Sequence, residues 1–192
     1  MSTAAQALKQ SWRARLRAED QRHGADERRA TSRRLCERVT QSDVWRAATA
    51  VLVFAPRPDE PDIRPLITAG LAGGKIIALP RHVTASDTYE AAVVRDVARD
   101  LRAGHFGLLE PAPECPRLPL MQLDLRLVPG LGFDALGRRL GRGKGYYDQL
   151  LSHTPAGNCG IAFDWQVVDE LPTEPHDAPM NFLATPTRWF VF

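Results

Sequence analysis

Cysteine is scarce in this 192-residue chain, and lysine is equally so. Cys36, Cys115 and Cys159 lie far apart, with no C-x-x-C pair and no even-numbered set, so no disulfide framework is expected and a reducing cytoplasm is the default setting. Charge of one sign is also lacking. The formal net charge is only +2, which argues against a dedicated nucleic-acid binder. No apolar run approaches a membrane span. The opening "MSTAAQALKQSWRARLR" has no apolar block of the secretory kind, and Glu19 and Asp20 weigh against a transit peptide. Repeats and low-complexity segments are absent, as is any Ser/His/Asp or Cys/His arrangement suited to a covalent nucleophile. These absences leave one soluble domain over residues 1–192, with 44% apolar residues to fill a core and no membrane or nucleic-acid partner expected.

The charges present are unevenly spread. Residues 1–38 hold ten Lys or Arg against five Asp or Glu. Only Lys9, Lys75 and Lys144 break the preference for arginine, and a compact ammonium reaches a phosphate where a planar guanidinium does not fit. Residues 4–22 read as a helix with Leu8, Trp12 and Leu16 on one face and Lys9, Arg13 and Arg17 on its neighbour. A second helix is expected over 26–40, capped by Asp26 with Leu35 and Val39 apolar, so that residues 1–40 form helices packed on the rest. "TAVLVFAP" (49–56) reads as a strand buried on both faces, 63–74 as a glycine-closed helix and 75–80 as the next strand, a parallel pair with a right-handed crossover. Strands follow at 88–94, 123–133, 159–163 and 182–185, with "RWFVF" as an edge strand. Short helices are expected within 95–104, 145–152 and 165–171, and 105–119 reads as a proline-rich surface loop. The fold class is therefore α/β: a single-domain open, mostly parallel sheet flanked by helices on both faces. Ligands in such sheets sit beyond the carboxyl ends of the strands, which selects the loops 55–62, 130–146 and 172–180.

One of those loops stands out. "RRLGRGKGYYDQLL" (138–151) places Gly141, Gly143 and Gly145 at alternate positions among Arg138, Arg139, Arg142 and Lys144, directly before a helix. Bare backbone amides form a concave anion site, and a helix amino terminus and four cations add to it, so phosphate is the natural guest. The pattern is neither a Walker A loop, because Gly145 follows Lys144, nor a G-x-G-x-x-G dinucleotide fingerprint. By itself Asp148 is as well explained by compensation of the helix dipole, Lys9 with Arg13 as a solvated basic face, and Glu60 as an acid at a helix start.

The stretch "VPGLGFDALGRRLGRGKGYYD" resembles the signature of the 5-formyltetrahydrofolate cyclo-ligase (5,10-methenyltetrahydrofolate synthetase) family. Weaker resemblances run along the chain: K-x-x-x-R at Lys9 and Arg13, "APRPDEPDI", "KIIALPR", "HFGLLEP" and "EPHDAPMNFLAT". Ile63 departs from the pattern, which has threonine in the substrate loop. The resemblance implies an ATP- and Mg2+-dependent conversion of 5-formyltetrahydrofolate to 5,10-methenyltetrahydrofolate, with ADP and phosphate released. It implies nucleotide contacts from Lys9, Arg13, Arg139, Gly141, Arg142, Gly143, Lys144, Gly145 and Tyr146, with Arg139 and Lys144 catalytic. Magnesium falls to Asp148 and Asp177, and folate to Ala55, Glu60, Phe106 and Tyr146, while His176 reads as a packing or supporting residue. The competing readings are another ATP-dependent ligase or kinase, a folate binder without turnover, and an RNA-binding module using the basic helix and loop.

Overall fold

Five parallel strands make the middle of one eight-stranded sheet. The structure, a computed structural model, describes residues 3–143, 145–151, 155–175 and 177–192, without the side chains of Thr3, Phe106, Asp148 and Gln149. The sheet comprises β1 (Ala50–Leu52), β2 (Ile76–Val83), β3 (Thr88–Val94), β4 (Arg117–Leu118), β5 (Leu125–Pro129), β6 (Gly157–Ile161), β7 (Phe182–Ala184) and β8 (Trp189–Val191). Their spatial order is β8-β7-β6-β5-β1-β2-β3-β4. The strands from β7 to β2 are mutually parallel, whereas β8, β3 and β4 each pair antiparallel with their inner neighbour. The helices are α1 (Thr3–Asp20), α2 (Ala25–Gln41), α3 (Asp43–Ala47), α4 (Arg64–Ala72), α5 (Val97–Asp100) and α6 (Tyr146–Leu151).

Strand alternation divides the core. Val51 and Val53 face α2–α4, where Leu35, Val39, Trp45, Ile63, Leu66 and Ile67 are buried, and Leu125 and Leu127 point the same way. Ala50 and Leu52 face the opposite side. On β5 the intervening Arg126 and Val128 also turn away from α2–α4, toward α6. Arg126 is almost fully buried, and its guanidinium donates to the carbonyls of Leu150, Leu151 and Ala156. A cation placed there satisfies carbonyls that the end of α6 leaves open and opposes the helix dipole.

The sequence placed the main elements well and erred in detail. Asp26 does not cap α2: the N-cap is Gly24, and Asp26 pairs with Arg29 in the first turn. Leu8 is exposed, while its basic neighbour Lys9 is buried. The segment 105–119 is not merely a surface loop. It holds a 3-10 turn at His105–Gly107, a strand at Leu109–Pro111 paired with Leu101–Ala103, and β4. Residues 132–134 form a separate hairpin with Arg139–Leu140, continued in parallel by Val167–Val168. Ile63 is fully buried at the start of α4 and supplies no side-chain cap, so the hydroxyl that its position would carry in the related pattern is replaced by core packing.

Helix α1 docks through Leu16, which packs with Leu131, Leu140 and Leu171. A Cβ on Gly132 would lie 2.7 Å from Leu16 Cδ1, so glycine at this position makes room for the helix. The α1–α2 turn is held by His23 stacked on Trp165 at 3.7 Å and by Trp165 Nε1 donating to Asp20 at 3.2 Å. Among the described residues no helix is long and apolar enough to cross a membrane.

Gly160 on β6 gives the sharpest test of core packing. A Cβ there would stand 2.6 Å from Phe133 Cε1 and 3.0 Å from Leu183 Cδ1. Gly160→Ala is expected to destabilise the protein by about 1–3 kcal/mol through overpacking, read as a lower urea midpoint at unchanged m-value.

Candidate functional site

The three loops selected from the sequence meet at one cavity of about 400 Å³ beyond the carboxyl ends of β1, β2 and β5. Phe54, Ala55, Arg57 and Glu60 follow β1, Pro129 and Gly130 close β5, the glycine loop contributes Arg139 to Gly143 and Gly145, and Asp177 arrives from the carboxyl-terminal loop. Helix α1 lays Lys9, Arg13 and Arg17 across the mouth. Its basic face is thus turned inward, and Lys9 is only 6% exposed.

The lining is of two chemical kinds. One is cationic. Lys9 Nζ donates to Asp177 Oδ2 at 2.6 Å and lies 2.9 Å from Glu174 Oε2. Burial penalises its charge, but the hydrogen bonds to Asp177 and Glu174 outweigh that, and its pKa is raised. Arg13 Nε donates to the Gly141 carbonyl at 3.0 Å. Burial, then repulsion from Arg17, lowers its pKa, so an anion placed there would relieve a penalised cation. Gly143 has φ +95° and Gly145 φ +71°, left-handed backbone that favours glycine, and a Cβ on Gly143 would sit 3.2 Å from Arg13 Cζ. The loop is therefore glycine for conformation and for close approach. Arg139 Nη1 donates to the Pro129 carbonyl at 3.3 Å, and its guanidinium lies 5.8 Å from the Tyr147 ring centroid.

The other kind is aromatic and apolar: Phe54, Pro80, Tyr89, Leu108, Tyr146 and Tyr147. The Tyr89 and Tyr146 rings are 4.8 Å apart and tilted by 58°. Burial, then the charge of Glu110, pushes Tyr89 up to about 12, so it is a neutral hydrogen-bonding phenol at physiological pH. Burial likewise raises Tyr147. Glu60 also lines the cavity, 8% exposed, with Oε2 accepting from the Arg57 amide at 3.0 Å and Oε1 facing Arg142. It does not cap α4; Asp62 accepts from the Arg64 amide instead. Burial raises the Glu60 pKa, and the Arg57 amide and Arg142 offset that only in part.

The structure brings together Lys9, Arg13, Ala55, Glu60, Arg139, Gly141, Arg142, Gly143, Gly145, Tyr146 and Asp177. Lys144 and His176 lie outside the described residues, as do the side chains of Phe106 and Asp148. Arg138, counted from the sequence among the cations of the loop, turns away to Glu170 at 2.9 Å and to the Leu171 carbonyl. Several participants carried no assigned role in the sequence reading. Glu110 lines the cavity and accepts from the amides of His82 and His105, both at 3.1 Å. Glu174 joins Asp177 around Lys9, and its amide donates to Asp177 Oδ2 at 2.7 Å. Buried Asp134 accepts from the amides of Leu136, Arg138 and Leu171, fixing the hairpin before the glycine loop to the segment before Glu174. The D-x-x-G turn in "GFDALG" was the available signal for Asp134; nothing in the spacing singled out Glu110 or Glu174. Among the described residues no three His, Cys, Asp or Glu side chains gather as a metal cage. The paired oxygens of Asp177 and Glu174 converging on one ammonium are instead the sparse, hard donor set that suits magnesium, which keeps waters and uses few carboxylates.

The 5-formyltetrahydrofolate cyclo-ligase family model matches residues 5–186. A 5-formyltetrahydrofolate cyclo-ligase of Mycolicibacterium smegmatis is 46% identical over 96 residues, a match spanning 47% of this chain and about half (48%) of that relative. One of Mus musculus is 28% identical over 94% of this chain and 93% of its own length. The NMR structure of Aquifex aeolicus 5,10-methenyltetrahydrofolate synthetase superposes with a TM-score of 0.86 at 29% identity, covering 96% of this chain and 92% of that one.

The buried position of Glu60 yields a pH prediction. A carboxylate whose folded pKa lies above its ordinary 4.5 binds protons more readily in the folded state, so its contribution to stability falls as pH rises from 4.5 through the raised value. Glu60→Gln removes that slope. The variant is expected to gain stability relative to the parent protein as pH rises from 4 to 8, read as the difference between their urea midpoints at each pH.

Proposed function

The chain belongs to the 5-formyltetrahydrofolate cyclo-ligase family, and from that premise we propose that it closes 5-formyltetrahydrofolate to 5,10-methenyltetrahydrofolate using ATP and magnesium, with release of ADP and phosphate. The observation that carries the reading is one cavity lined both by cations and glycine-loop backbone and by aromatic rings, with a buried carboxylate among them. A triphosphate fits the first and a pterin the second, and the reacting oxygen and phosphorus meet between them.

The chemistry needs a better leaving group. The formyl oxygen attacks the γ-phosphorus, the bond to the β,γ-bridging oxygen breaks, and ADP departs. Nitrogen-10 then attacks the activated carbon and loses its proton, and the carbon–oxygen bond breaks with loss of phosphate. None of this requires a covalent enzyme nucleophile. It requires alignment and stabilisation of charge on the moving phosphoryl group. The chain supplies amides of the glycine loop around the phosphates, guanidiniums of Arg13, Arg139 and Arg142, and the ammoniums of Lys9 and Lys144. Glu60 accepts N–H groups of the pterin, and Phe54, Pro80, Tyr89 and Tyr146 exclude water around its rings, with Ala55 at the strand end and Phe106 as a further aromatic. Asp177, with Glu174 beside it, and Asp148 would hold magnesium, and that ion would neutralise phosphate charge. In this reading the protein acts as a single-domain monomer in the cytoplasm.

The test is direct. The protein incubated with ATP, magnesium and 5-formyltetrahydrofolate is expected to develop the ultraviolet band of the methenyl product. A folded protein giving no product would rule out the ligase reading, and folate binding without turnover would leave a folate store. Arg139→Ala and Lys144→Ala are each expected to lower kcat by about 10²–10³-fold, the usual cost of removing one group that stabilises transition-state charge. Asp177→Asn is expected to shift the magnesium titration to higher concentration.

A further inference from the structure

Arg142 belongs to the glycine loop, yet its guanidinium is engaged with the loop that follows β1. Nη2 donates to both oxygens of Asp59 at 2.8 Å and to Glu60 Oε1 at 3.1 Å, and Nε adds a longer bond to the same Glu60 oxygen at 3.3 Å. Asp59 is 39% exposed at its side chain and Glu60 only 6%. One cation of the anion-binding loop therefore occupies the carboxylate oxygen that a pterin's N–H groups would have to reach. Glu60's other oxygen is already taken by the Arg57 amide, so Oε1 is where the competition falls.

We propose that this bridge couples the two substrate subsites, so that nucleotide and folate each bind more tightly when the other is present. The inference rests on the reading of the site given above. A polyphosphate in the glycine loop draws Arg142 toward itself and leaves Glu60 Oε1 open to a pterin. A pterin bound at Glu60 displaces the guanidinium, which stays near the loop because Asp59 still holds it, and makes it available to phosphate. Whichever substrate arrives first breaks the contact between Arg142 and Glu60, and the second meets a site already opened. By thermodynamic linkage the enhancement is the same in both directions. A buried carboxylate that loses Arg142 with no incoming donor is left poorly paired, so the bridge also offsets part of the cost of charge on Glu60 before substrates bind.

The experiment titrates 5-formyltetrahydrofolate by calorimetry with and without a saturating non-hydrolysable β,γ-imido analogue of ATP plus magnesium, and then reverses the roles. In the parent protein the folate Kd is expected to fall at least about five-fold on saturation with nucleotide, the low end of ordinary site–site coupling, and the nucleotide Kd to fall by the same factor with folate. In Arg142→Met the factor is expected to drop to within two-fold of unity. Lys9, Arg13 and Arg139 remain in that variant, so saturation is reached at higher nucleotide concentration. Asp59→Asn removes only the exposed leg and is expected to keep the coupling. Binding of both ligands to the parent protein with no mutual effect, or with mutual weakening, would overturn the coupling while leaving the functional reading intact. An undiminished factor in Arg142→Met would overturn the bridge as its carrier. Failure of either ligand to bind the folded parent protein would overturn the site assignment and the coupling together.

Discussion

Opposite charges held about 3 Å apart across the carboxyl edge of the sheet are what make one cavity out of several separate loops. Arg142 with Asp59 and Glu60 joins the glycine loop to the loop after β1, more than 80 residues away in the chain. Lys9 with Asp177 and Glu174 joins the first helix to the carboxyl-terminal loop. The parallel neighbours β1 and β5 bring the first two loops close, but strand pairing alone does not fix loop geometry. The ion pairs do, and they also solve an electrostatic problem. Lys9, Arg13, Arg17, Arg57, Arg139 and Arg142 all line the same cavity, and their repulsion in a partly desolvated cleft would oppose folding without carboxylates set among them.

Each of these pairs is built from one group suited to phosphate and one suited to another guest. That is a general way to store a binding site. The partners keep one another ionised and oriented, and a ligand that carries complementary charges replaces the partners rather than meeting bare, solvated side chains. Arg13 differs from its neighbours in this respect, since its bond goes to a loop carbonyl and its cation is penalised by burial and by Arg17. Negative charge added beside it would relieve that penalty.

Much of this was readable in the chain itself. Continuous apolar runs bounded by glycine and proline located β1, β2 and β5, and the open parallel arrangement then pointed to the loops that do converge. The glycine spacing singled out the loop that lines the cavity. What the sequence concealed was direction. The periodicity of α1 is compatible with either neighbouring face inward. Of the apolar stripe Leu16 is buried and Leu8 exposed, while Lys9 on the neighbouring face is buried, because Leu16 docks on Leu131, Leu140 and Leu171 and Lys9 lines the cavity. Adjacent arginines were equally ambiguous. Arg138 immediately precedes the short strand Arg139–Leu140, and the two side chains part there, one toward Glu170 and the other toward the cavity. Glu110 was hidden because a proline-rich stretch reads as loop, and only the pairing of residues 109–111 with 101–103 turns its carboxylate inward.

The same directional logic explains why the site holds so few reactive side chains. Cys36, Cys115 and Cys159 are buried and free, and burial pushes Cys36 and Cys159 up to about 12, away from thiolate chemistry. Tyr89 is likewise held neutral. Among the described residues the cavity is lined by cations, carboxylates and aromatic rings and by no cysteine, serine or histidine. Glu60 and Arg142 pair there, each anchored on a second group (the Arg57 amide for one, Asp59 for the other), so that either can release its partner without losing its place.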